Sequence, residues 1–210
     1  RVVCDDTRPK STSHTQDPVG TSHSLTYNKA GLVLQNVKDG QAQNQRIIDS
    51  ATQERLIDAR GQTTTIHYDS ARRPLKTTYP DGSAETWQYN AQGRPTRQAT
   101  PQGTINTWAY DARGNLTQHT QALGLPEQTT TLHTYDQWGQ RTSTTQGAGN
   151  AQGPDAQTTT TAYDNAGNPT QTTNPLGHTR PAPYNSAGHL LNPTHPLGHT
   201  TTHQYDGAGP

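Results

Sequence analysis

The sequence predicts an all-β protein made of hairpin repeats that form a long, curved, open sheet. Three observations lead there. Ile, Leu and Val supply only 23 of 210 residues, and Phe and Met are absent. Thr alone supplies 37 residues. Eight of the nine tyrosines open the same five-residue phrase, most of them 21 residues apart. An ordinary globular domain carries roughly 45–50% apolar residues, whereas this chain carries 26%. A thick two-layer core is excluded, and a repeat that needs little core takes its place.

The charges agree with an ordered chain. Polarity this strong, with a mean hydropathy of −1.06, signals disorder when a high net charge accompanies it. Here 16 basic and 16 acidic residues cancel. No basic patch points to nucleic acid, and no run approaches the ~18 apolar residues of a membrane span. Cys4 is the single cysteine, so it has no partner for an internal disulfide or a zinc pair. The chain opens at Arg1 with no initiator methionine or signal segment, and the expectation is an internal segment of something larger.

The first phrase is Tyr-Asp/Asn-x-x-Gly. It begins at Tyr27, Tyr68, Tyr89, Tyr110, Tyr135, Tyr163, Tyr184 and Tyr205, and closes on Gly31, Gly93, Gly114, Gly139, Gly167, Gly188 and Gly209, with Arg72 in the second copy. Successive spacings are 41, 21, 21, 25, 28, 21 and 21. A degenerate copy at Ile48-Asp49 divides the first interval. Asp or Asn at the first turn position caps the turn amides, and Gly tolerates a positive φ at its end.

A second phrase, Pro-x-Gly, lies between the first. It occurs at Pro18–Gly20, Pro80–Gly82, Pro101–Gly103, Pro175–Gly177 and Pro196–Gly198, with weaker copies ending at Gly40, Gly61 and Gly124. Two turns per repeat leave two short extended segments, which is one β-hairpin. Residues 17–210 thus form the repeat region, about nine repeats of about 21 residues, with insertions near 125–130 and 147–157. Residues 1–16 are expected to be an irregular N-terminal segment.

The strands alternate. Two residues before each Tyr stand Leu25, Ile66, Trp87, Trp108, His133, Thr161, Ala182 and His203; three before it the residue is mostly Ser or Thr. With a side-chain period of two, one face becomes a thin Tyr/Trp/aliphatic ladder and the other a wet, hydroxyl-rich surface. Cross-strand aromatic and Thr–Thr pairs, about 0.2–1 kcal/mol each, replace a thick core.

The run Tyr163-Asp-Asn-Ala-Gly-Asn-Pro, then Asn174-Pro-Leu-Gly-His, then Tyr184-Asn-Ser-Ala-Gly-His-Leu, then His195-Pro-Leu-Gly-His resembles the YD repeat of the Rhs family. The resemblance covers roughly residues 17–209. It implies a β-sheet wound into a hollow shell that encloses a C-terminal toxin domain, as in polymorphic toxins, toxin-complex subunits, wall-associated proteins and teneurins. It also implies a secreted or cell-surface protein, exported in bacterial members often by type VI secretion. The implied partners are the remainder of the shell and the enclosed toxin domain. The repeats would act as a container, with no catalytic residues and no cofactor. Several positions depart from the pattern: Arg72 at a turn Gly, Ile48 at a Tyr, and Pro181 and Pro183 where a strand needs N–H donors. The family's self-cleavage motif is unmatched, since Pro193–His199 carries His195 and His199 where Asp and Leu are required.

Candidate chemistry is weak against the repeat register. His195, His199 and His203 share a strand face, yet His178 and His199 are one repeat position 21 residues apart, so no metal site is assigned. Asp69, Asp111, Asp136, Asp164 and Asp206 read as turn caps rather than acid–base pairs. The eight tyrosines with Trp87, Trp108 and Trp138 read as sheet packing, with a sugar-stacking surface as the alternative. Two functions follow: a structural shell segment, or an extracellular adhesion module that recognises carbohydrate or a partner protein.

Overall fold

The computed structural model describes residues 9–16, 21–185 and 187–191. The chain divides into two units, residues 1–103 and 104–210. The first contains β1 (Pro9–Gln16), β2 (Ser22–Asn28), β3 (Val33–Lys38), β4 (Gln41–Ser50), β5 (Gln53–Asp58), β6 (Thr63–Tyr68), β7 (Pro74–Thr78), β8 (Ala84–Tyr89) and β9 (Pro95–Ala99). The second contains β10 (Ile105–Tyr110), β11 (Leu116–Gln121), β12 (Thr129–Tyr135), β13 (Arg141–Ala148), β14 (Gln157–Tyr163), β15 (Pro169–Thr173) and β16 (Thr179–Pro181).

Within each unit every strand pairs antiparallel with its neighbour in sequence, so the hairpins follow one another along the sheet without a crossover. There is no helix among the described residues. The all-β hairpin architecture read from the two turn phrases is the architecture of the chain. Pro74, Pro95 and Pro169 each stand at the first position of a strand, where a missing N–H is tolerated.

The N-terminal expectation needs correction. Residues 9–16 are not irregular: they form β1, whose Ser11–Gln16 pair in register with Tyr27–Ser22 of β2. Ser, Thr and His alternate there without a turn phrase, so a strand follows from cross-strand pairing that the turn signals could not announce. Pro181 closes β16 opposite Gln171, and the Pro183 carbonyl accepts the Leu191 N–H at 2.7 Å. The motif at 193–199, His203 and Asp206 lie outside the described residues.

The face opposite the tyrosines is not uniformly wet. Thr120 of β11 and Thr130 of β12, neighbours across the strands, are the largest fully buried side chains. The two insertions explain this. The loops 122–128 and 149–156 adjoin these threonines, and their own Ala122 and Ala151 are buried. Gln128 joins the loops: its carbonyl accepts the Gly149 N–H (2.8 Å), its Nε2 donates to the Gly149 carbonyl (2.9 Å), and its Oε1 accepts the Gly124 N–H (2.8 Å). The Thr130 hydroxyl donates to the same Gly149 carbonyl and lies 3.2 Å from the Thr120 hydroxyl. Gly147 allows the close approach, since a Cβ there would stand 3.2 Å from the Cα atoms of Ala151 and Ala156.

This small covered core predicts an asymmetry among threonines. Thr130→Val keeps the shape but removes the hydroxyl contact to Thr120, which keeps only the Gln118 Nε2 donor at 3.0 Å, and one of the donors to the Gly149 carbonyl, and is expected to cost about 1 kcal/mol. Thr158→Val, on the same face but exposed, should stay within about 0.5 kcal/mol. Urea unfolding of both variants checks the difference; equal midpoints would remove the covered core from the account.

Candidate functional site

The site that recurs along the chain is a joint between successive hairpins. It starts at the turn. In the described tyrosine copies the Asx carboxyl or amide oxygen accepts two backbone N–H groups. Asp136 Oδ1, for example, takes those of Trp138 and Gln140 at 2.9 Å each. Asn28, Asp58, Asp69, Asn90, Asp111, Asp164, Asn174 and Asn185 do the same. The closing residue must then take a positive φ. Gly31, Gly93, Gly114, Gly139, Gly167 and Gly188 have φ between 79° and 90°.

Next to the turn the ladder slips by one residue. Tyr27 pairs with Val33 but Thr26 pairs with Gln35, so Leu34 is extra. The same bulge recurs beside Tyr68, Tyr89, Tyr110, Tyr135 and Tyr163. A bulge interrupts the ladder and bends the strand, and here the carbonyl at its start receives the next tyrosine. Tyr89 donates its hydroxyl to the Pro74 carbonyl (2.9 Å), Tyr135 to Leu116 (2.8 Å) and Tyr163 to Arg141 (2.9 Å). Pro74, Leu116 and Arg141 are the residues paired with Tyr68, Tyr110 and Tyr135. Each of these hydroxyls thus reaches the residue facing the previous tyrosine. Tyr184 makes an isolated bridge to Leu190, and Tyr205 lies outside the described residues.

One joint differs. The repeat before Tyr68 has Ile48 in the tyrosine position, and Glu54 of β5 pairs with Ile48. Tyr68 donates instead to Glu54 Oε1 at 2.6 Å, and Arg72 meets Glu54 Oε2 at 3.2 Å. Glu54 is only 3% exposed. Arg72 also lies over the Tyr68 ring, 4.2 Å from its centroid, and donates to the Ala51 carbonyl at 3.0 Å. Burial and the neighbouring Glu54 push the Tyr68 phenol up to about 12. Arg72 holds a φ of 62°, a conformation costly for a non-glycine residue. Its guanidinium supplies what a glycine could not, the counter-charge for a buried carboxylate. The sequence marked Arg72 and Ile48 as departures; Glu54, which carries no turn or strand signature, was not visible there.

In the second unit the tyrosine face carries histidines. His119 stacks on Trp108 with ring centroids 5.2 Å apart and planes 9° from parallel. His133 meets the edge of Tyr135 at 6.5 Å, and its Nδ1 lies 3.1 Å from the Thr144 hydroxyl. Burial lowers both histidines from their ordinary value; the positive Arg141 and the neighbouring His119 add to the effect at His133. Trp138 departs from the ladder assignment. It sits at a turn tip and is 70% exposed, because the position after Asp136 and Gln137 lies outside the strand alternation. Among the described residues no three His, Cys, Asp or Glu side chains group as metal ligands, and no helix is long and apolar enough to cross a membrane.

A family model described as RHS Repeat matches residues 51–84, 89–126 and 110–151. Over those residues the chain is similar to the RHS repeat. The role of the phrase residues in the structure is structural: they cap turns, hold bulges and join hairpins. Among solved structures, the chain is similar to TcdB2-TccC3-TEV at 14% identity and to TcdB2-TccC3 without its hypervariable C-terminal region at 15% identity. Each match has a TM-score of 0.43 and covers 94% of this chain and 15% of the other. A Photorhabdus luminescens Tc holotoxin pore with a TccC3 mutation matches at 16% identity and TM-score 0.42, over 93% of this chain and 13% of that one. The chain thus spans only 15% of the length of the first of these. No curated protein matches it.

Two outcomes follow from the tyrosine joint. Tyr135→Phe removes only the hydroxyl bond and is expected to cost about 1 kcal/mol. Tyr135→Ala removes the ring as well and should cost about 3 kcal/mol. A Tyr135→Phe variant with an unchanged urea midpoint would show that the hydroxyl bond does not join the hairpins. The histidines give a pH dependence. Their folded values are lowered, so the unfolded chain binds protons more readily, and stability is lost as pH falls from about 6.5 downward. The lowered carboxylates Asp69, Asp81, Asp111 and Asp164 lose their contribution only at more acid pH, below the ordinary Asp value of about 3.9. Unfolding midpoints should fall between neutral and mildly acid pH, and a His119→Gln/His133→Gln variant should flatten that fall.

Proposed function

We propose that these RHS repeats are a structural segment of a larger β-shell that encloses a C-terminal toxin domain of an exported protein. The observation that carries the reading is the joint itself. One tyrosine–bulge contact, repeated along the chain, builds wall and leaves its polar groups satisfied within the sheet rather than aimed at a substrate. Active sites need a unique, asymmetric set of groups in a pocket, and the phrase residues recur in equivalent settings instead. The repeats perform no chemistry of their own in this reading. Their partners are further repeats of the shell and the enclosed domain, and the assembled protein acts outside the cell that makes it.

Limited proteolysis of the full-length polypeptide tests this. The segment that follows the repeats should resist trypsin while the shell is intact, and become cleavable after deletion of residues 104–191. Equal cleavage before and after the deletion would show that the repeats enclose nothing.

A further inference from the structure

At the tyrosine joints the hydroxyl acceptor has a fixed place in the ladder. Pairing with the following strand ends at Lys76–Thr86, Gln118–Leu132 and Ser143–Thr160. The acceptors Pro74, Leu116 and Arg141 each stand two residues before those ends, and the donors Tyr89, Tyr135 and Tyr163 three residues after them. Pairing between β3 and β4 ends at Gln35–Gln45. By the same count Val33 holds the acceptor position and Ile48 the donor position. An isoleucine has neither ring nor hydroxyl. The Tyr27 hairpin is therefore shaped to receive a phenol that its successor does not supply.

The structure leaves that place open. A cavity of about 540 Å³ lies there, lined by Gly31, Leu32, Val33, Asn44, Arg46 and Leu56 among others. Its walls come from the end of the Tyr27 turn and from strands β3, β4 and β5, all within the first unit. Val33 is exposed, whereas Pro74 and Leu116, whose carbonyls accept tyrosine hydroxyls, are half-buried. In the Tyr89 joint Arg73 lies 4.8 Å from the ring centroid. Leu32 occupies the equivalent position, five residues after Tyr27 as Arg73 is after Tyr68, so the floor of this cavity is apolar. Its volume falls within the roughly 300–1,000 Å³ of small-molecule sites.

We propose that this cavity binds a small para-substituted phenol, in the place that tyrosine rings fill at the other joints. The ring buries apolar area against Leu32, Val33 and Leu56. The hydroxyl donates to the Val33 carbonyl, as the tyrosines donate to Pro74, Leu116 and Arg141. A backbone carbonyl only accepts, so an ether or an ionised aromatic carboxylate cannot take the same position. The para relation follows from tyrosine itself, whose attachment lies opposite the hydroxyl. The inference is independent of the enclosure reading, and either can fail alone.

The probe is para-cresol, the tyrosine side chain as a free molecule, titrated into the nitrogen-15-labelled chain and followed by amide NMR shifts. Shifts at Gly31, Leu32, Val33, Asn44 and Arg46 should saturate at about millimolar concentration. Para-methylanisole keeps the ring and loses the donor. It should bind about fivefold more weakly, the loss that one hydrogen bond brings, although it is the more apolar molecule. Ile48→Tyr supplies the phenol from the chain itself. That variant should unfold at a higher urea concentration than the parent and should no longer respond to para-cresol at these residues. Four results would each overturn the proposal: no saturable shift at these amides, equal binding of the ether, undiminished binding by Ile48→Tyr, or a lower urea midpoint for that variant.

Discussion

The fold depends on what happens to one backbone carbonyl in each repeat. The Asx turn and its positive-φ glycine force the return strand to carry an extra residue, and the bulge that results disturbs the ladder beside the tyrosine. A carbonyl at the bulge is then available to a side-chain donor, and an unmet backbone acceptor is costly wherever water is excluded. The tyrosine of the following hairpin supplies the donor at Pro74, Leu116 and Arg141. Turn, bulge and hydroxyl are one device. That is why the tyrosine, the Asx residue and the glycine travel together in the sequence, and why so few aliphatic residues suffice.

Most of this was legible in the sequence because turn chemistry is local. Asp111 and Gly114 announce a turn, and the spacing to Asp136 and Gly139 announces the next. The bulge was not legible, since it depends on pairing between strands. Its only trace is the residue six after Tyr, which is Pro at Pro74, Pro95 and Pro169. Strand β1 escaped notice for a related reason: it has the alternation but no phrase. The assignment of the opposite face as wet failed at Thr130, because composition reports residue type and not what a neighbouring loop covers. Trp138 was grouped with the ladder because aromatics were read by type, when its place in the turn already set it outside the strand period.

The Glu54 joint shows how the device tolerates loss of a part. Where Ile48 replaces the tyrosine, a buried carboxylate accepts the next hydroxyl and Arg72 balances its charge. Breaking one partner of a buried pair is costly because it leaves an uncompensated charge. This joint is therefore more specific than the neutral ones, and its residues can vary only together. The histidine-bearing stretch of the second unit shows the contrary case: Trp108 and His119 keep the packing role of the aromatic face while adding a proton-sensitive group.

The sequential pairing of strands has a mechanical consequence. Within each unit every strand bonds only to its chain neighbours, so the contacts are short in sequence and loop closure is cheap. Such a structure behaves as a one-dimensional array, in which each hairpin is held by itself and by the two beside it. Tension applied along the chain at one end would load the terminal hairpin alone and peel the array one hairpin at a time. Each step would release about 21 residues, on the order of 70 Å of extended chain. An array of this kind comes apart as a zipper does, in even steps through the regular repeats and longer ones at the two insertions.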